Sequence, residues 1–191
     1  MKLYCLLLLI TVVDVGATVA QEKVLPQGDR GIAARYPGDT GIESDEGVVF
    51  REHFNDALSV VKMRWESVHQ EDLLSIDADV PNSRDGNRSL LVTHLGGESD
   101  GAHLYRRLGK GYDKLHYRFY VKFDSACAPI HHFFHVGGYA PPTAWPQGGA
   151  GVRPSGTERF TTGVEPFGNN WQWDYYSYWR DMRGSPPRGQ C

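Results

Sequence analysis

Cysteine, basic surplus and long apolar runs are all scarce in this chain of 191 residues, which holds three cysteines and 20 Lys and Arg against 23 Asp and Glu. So few thiols exclude a disulfide-dense scaffold, and Cys127 and Cys191 lie too far apart to form a zinc-ligand motif. A net charge of -3 argues against a nucleic-acid partner, because neutralising phosphates needs a surplus of cations. The longest apolar stretch, Leu3 to Val13, falls far short of the roughly 20 residues that span a bilayer, so no membrane association is expected. A GxSxG elbow is missing, as are internal repeats and any long stretch with the 3.6-residue period of a helix.

What is present begins with a targeting segment. Lys2, the apolar run, and the small residues Gly16, Ala17 and Ala20 read as a secretory signal peptide over residues 1–20, cleaved after Ala20. The predicted location is therefore secreted, extracellular or periplasmic. In such a compartment Cys127 and Cys191 could pair, closing a loop of about 65 residues for roughly 4 kcal/mol. Residues 21–46 form an acidic leader rich in Gly, Asp and Pro, and residues 47–191 the folded domain. Charge is divided unevenly: residues 21–86 carry 7 basic against 14 acidic side chains, whereas 87–191 carry 12 against 8. A basic C-terminal half suits a polyanionic partner.

Short alternating runs separated by turn residues predict an all-β sandwich. Strands are expected at Val48–Phe54, Val61–Ser67, Ser89–His94, His103–Leu108, Leu115–Phe123, Ile130–Val136, Phe160–Val164 and within Trp171–Arg180. The clearest alternation is Leu115–Phe123, which separates Leu115, Tyr117, Phe119, Val121 and Phe123 from His116, Arg118, Tyr120 and Lys122. Those four polar groups recur at roughly 7 Å, a spacing suited to an extended sugar chain. In WQWDYYSYWR the same period sets Gln172, Asp174, Tyr176, Tyr178 and Arg180 apart from Trp171, Trp173, Tyr175, Ser177 and Trp179. Rings that stack on sugars and planar polar groups that bind hydroxyls fit a carbohydrate ligand, and Trp145, in the long Gly/Pro-rich passage 137–154, adds another ring.

HHFFH holds His131, His132 and His135 but lacks the glutamate of HExxH. On a strand His131 and His135 stand about 13 Å apart, too far to share one ion, so no metal site and no cofactor are expected. A metal held by one of these histidines and distant partners stays open. A glycoside hydrolase needs two carboxylates about 5 to 9 Å apart, and Glu165 and Asp174 are the only candidates near these strands.

LHYRFYVKFD, HHFFHVGG and WQWDYYSYW together resemble the strand order of secreted polysaccharide lyases of the alginate and glucuronan lyase type, over residues 47–180. That resemblance implies a concanavalin A-like β-jelly roll. Such rolls usually continue through further strands, which leaves open a C-terminally truncated jelly roll. It also implies β-elimination on a polysaccharide containing uronic acid. The implied catalytic set is Arg118, Tyr120, Lys122, His135 and Tyr176. Arg118 or Lys122, helped by Gln172, would neutralise the uronate; a tyrosine among Tyr120, Tyr176 and Tyr178 and a histidine among His131, His132 and His135 would move protons. His116, His131, His132, Trp145, Gln172, Tyr178 and Arg180 would bind substrate. The alternative expectation is a non-catalytic, lectin-like jelly roll that binds carbohydrate.

Overall fold

The computed structural model describes residues 29–81, 86–99, 101–143 and 152–182. The expected signal peptide, Trp145 and Cys191 lie outside them, and with Cys191 the expected disulfide to Cys127. Among the described residues, regular structure is mostly antiparallel strand with little helix, in keeping with an all-β chain. Two short helices, α1 (Gly31–Arg35) and α2 (Leu58–Met63), precede β1 (Ser67–His69), β2 (Leu74–Asp77), β3 (Ser89–Val92) and β4 (His103–Tyr105). Three further strands complete the order: β5 (Phe134–Tyr139), β6 (Arg159–Pro166) and β7 (Trp173–Tyr178). They pair as β1–β4, β2–β3 and β5–β6–β7, three separate sheets. No helix among the described residues is long and apolar enough to cross a membrane.

Three expected strands are not formed among the described residues, two of them for local reasons. At Val48–Phe54 the Glu52 carboxylate accepts the backbone N–H groups of His53 and Phe54 at 3.0 and 2.9 Å, taking donors that a ladder would need, and Phe54 turns into the left-handed region at φ 55°. Val61–Ser67 gives way to α2, because Leu58 and Val61 share a helical face. Val61 is fully buried where α2 packs on β2, whose Leu74 is also buried. The third, Leu115–Phe123, belongs to no strand ladder among the described residues. Its apolar set is nonetheless used: Tyr117 and Phe119 lie 4.6 and 5.0 Å from Phe134, and Phe123 lies 4.5 Å from Trp171, measured between ring centroids.

Part of the acidic leader is tied to itself and to the start of the domain. Asp45 is buried, accepts the Gly47 N–H at 2.8 Å and pairs with Arg35 at 2.7 Å, while Glu43 pairs with Arg51 at 3.0 Å. In the C-terminal sheet, register decides which side chains meet. His135, Gly163 and Tyr176 stand in one row across β5, β6 and β7; Gly137, Thr161 and Tyr178 stand in the next; and Glu165 faces Asp174. Phe134, Val164 and Tyr175 occupy the opposite face. On β6 it is the side carrying Thr161, Gly163 and Glu165 that is buried, whereas the aromatic side stays open at Phe160 and Tyr175.

Candidate functional site

The buried face of β5–β6–β7 gathers its chemistry around one carboxylate. Glu165 lies in the Thr/Gly/Val-rich strand RFTTGVEP, where the alternation sends it inward with Thr161 and Gly163, leaving its side chain 6% exposed. Burying an unpaired carboxylate costs several kcal/mol, so partners are required. They come from HHFFH. His132 sits at φ 60°, a left-handed conformation uncommon for a residue with a Cβ, just before β5 begins at Phe134. That turn brings two consecutive imidazoles to one side, with ring centroids 3.7 Å apart. His132 Nδ1–H donates to Glu165 Oε2 at 2.8 Å, and His131 Nδ1 lies 3.8 Å from Oε1.

His135 approaches from β5 itself. It crosses over Gly163, where a Cβ would come within 2.8 Å of the imidazole Cε1, so glycine is what lets the ring lie across the sheet. Its Nε2 lies 3.9 Å from Glu165 Oε2 and is buried without a hydrogen-bond partner among the described residues. Burial pushes the His135 imidazole below its ordinary value, with His132 acting in the same direction and Glu165 opposing, so the ring is held neutral. Tyr176 completes the group: its ring lies 5.4 Å from His132, and its hydroxyl shares a 2.7 Å hydrogen bond with that of Tyr178. The Arg159 guanidinium stacks 5.1 Å from the Tyr178 ring.

The arrangement brings together five sequence-predicted residues: His131, His132, His135, Tyr176 and Tyr178. The others lie apart from these contacts. Arg118 pairs with Asp39 and rests 5.9 Å from the Tyr120 ring, and Lys122 pairs with Asp79. These two cations are therefore engaged by acids of the N-terminal half, while the apolar side of the same segment meets the aromatic face of the sheet. His116 and Gln172 are exposed, and Arg180 lies against Gly156. Trp145 is outside the described residues. The 13 Å separation expected of a strand does not arise, since β5 starts only at Phe134 and His131 and His132 precede it.

Sequence reasoning gave Glu165 no role in an elimination site, and Gly163 and Arg159 no role at all. A lone glutamate alternating with Thr and Gly inside a strand was the available signal for the first. His131, His132 and Glu165 each place a ligand-type atom within 4.8 Å of the others, a grouping that could hold a metal ion. No family model, curated protein or solved structure matches this chain.

Proposed function

We propose that this is a secreted polysaccharide-active protein that carries out lyase-like β-elimination on a polysaccharide containing uronic acid, on a concanavalin A-like jelly roll scaffold. The observation that carries the reading is the sequence of contacts from buried Glu165 to His132 Nδ1 and on to the Tyr176 ring. A carboxylate bonded to one imidazole nitrogen fixes the tautomer and leaves the lone pair on the other, the relation that makes a histidine a general base. The His132 side chain is 37% exposed, so that nitrogen can meet a substrate.

In this reaction His132 Nε2 takes the proton from C5 of the uronate. The C–H electron pair becomes the C4=C5 double bond, the C4–O bond breaks, and the departing oxygen takes the Tyr176 hydroxyl proton. Glu165 stabilises the imidazolium that forms, and Tyr178 supports the tyrosinate through their shared hydrogen bond. Arg159 supplies positive charge beside this tyrosine pair. The antiparallel three-stranded sheet supports the jelly roll part of the reading, and the alternation along β6 gathers the polar groups on one face.

A second reading has its own observation. Phe160 and Tyr175, 51% and 73% exposed on the opposite face, offer rings on which a sugar can stack without any proton-transfer pair, as a lectin-like domain would. Incubation with a panel of polyuronates and neutral glucans separates the two. Elimination raises the ultraviolet absorbance of unsaturated ends on polyuronates alone, and Tyr176→Phe abolishes the rise. Retention of the sugar without any such absorbance supports the binding domain and overturns the lyase.

A further inference from the structure

Glu165 needs one strong partner and is surrounded by three imidazoles. Of these only His132 is within hydrogen-bond distance; His131 Nδ1 and His135 Nε2 stand at 3.8 and 3.9 Å from its two oxygens. Those distances are too long for hydrogen bonds and close to what ligands of a common ion show. With bonds of about 2.0 to 2.2 Å in a tetrahedral site, neighbouring donor atoms stand roughly 3.3 to 3.6 Å apart. The left-handed turn at His132 is what aims consecutive side chains at one carboxylate. Beside them, His135 Nε2 is a buried nitrogen with no hydrogen-bond partner among the described residues.

We propose that His131, His132 and Glu165 bind a divalent transition metal of the zinc class, with solvent at the fourth position and His135 lining the site. Two imidazoles and one carboxylate form a nitrogen-rich set that suits Zn²⁺, Co²⁺ or Ni²⁺ and is poor for Ca²⁺ and Mg²⁺, which take oxygen ligands. The buried carboxylate supplies charge, and exposed His131 supplies the entry side. Binding replaces the His132–Glu165 hydrogen bond with two bonds to the ion, so the metal and the general base compete for the same pair. That consequence rests on the lyase reading; the site itself does not.

The test is calorimetric titration of the chelator-treated, tag-free full chain with Zn²⁺, Co²⁺ and Ca²⁺, with the visible spectrum of the Co²⁺ form as a second readout. One equivalent of Zn²⁺ or Co²⁺ binds, Co²⁺ gives a tetrahedral spectrum, and Ca²⁺ does not displace it. His131→Asn, which alters an exposed side chain and should leave folding intact, weakens binding at least roughly tenfold, and His131→Asn with His132→Asn removes it. Absence of binding by the folded wild type, or binding unchanged in the double variant, overturns the site. In the elimination assay, turnover falls as Zn²⁺ fills the site. Turnover that instead requires Zn²⁺ overturns the competition and the role of His132 as base while the binding data retain the site.

Discussion

Glu52 and Glu165 are almost equally buried, their side chains 5% and 6% exposed, yet their surroundings differ in kind. Glu52 is held by fixed donors. Arg64 clamps it through Nε and Nη2 at 2.8 and 2.7 Å, the His53 and Phe54 N–H groups take further lone pairs, and Asp56 holds the far side of the guanidinium at 2.7 Å. Around Glu165 the partners among the described residues are imidazoles, which donate or accept according to tautomer, and two of them face Tyr176. A permanent cation makes a carboxylate into a structural joint, whereas titratable neighbours leave it able to exchange protons or bind an ion. The difference separates a region that holds the chain together from the one proposed to carry chemistry.

The largest expected effect breaks the joint. Arg64→Met strands Glu52 in a buried setting and should cost about 3 kcal/mol in urea unfolding, as removal of one member of a buried pair does. On the other side, Gly163→Ala places a methyl against the His135 ring and should cost roughly 2 kcal/mol by overpacking, with the imidazole displaced and the proposed elimination lost.

Acid should separate the two regions by pH. His135 is held below its ordinary value of 6.5, so the unfolded chain binds the extra proton first. Stability is fully present above 6.5 and declines as pH falls from there through the folded value. Burial pushes the Glu52 carboxyl up, but the Arg64 contact and the backbone donors together outweigh this and hold it below its ordinary 4.5. Its contribution is present above 4.5 and disappears as pH falls through the lowered value. His135→Leu should flatten the first limb and Arg64→Met the second, read from unfolding free energies across pH. The smallest effect is Tyr178→Phe, which deletes one hydroxyl of the tyrosine pair and should cost about 1 kcal/mol or less.

How far the sequence disclosed this depended on which interaction decides each element. Alternation in Ser89–His94, Phe160–Val164 and WQWDYYSYWR marked β3, β6 and β7, because there the face pattern and the ladder agree. Alternation in Leu115–Phe123 is just as regular and forms no strand, since it reports a one-sided surface and not a hydrogen-bonding neighbour. α2 is hidden because the strand-like run beginning at Val61 cuts Leu58 from its helical partner. Of the site, the histidines and tyrosines were visible as residue types. Their convergence was not, because it depends on the backbone at His132 and on a strand register that brings in Glu165 from 33 residues away.

The central claim, that Glu165 marks the working region and Glu52 the structural one, is tested most directly by measuring polyuronate elimination and thermal unfolding together for Tyr176→Phe and Arg64→Met. Tyr176→Phe should unfold within a few degrees of the wild type and lose at least about 100-fold in product formation. Arg64→Met should unfold at a clearly lower temperature while retaining wild-type turnover wherever it remains folded. Wild-type product formation by Tyr176→Phe, or loss of turnover by folded Arg64→Met, would contradict the claim.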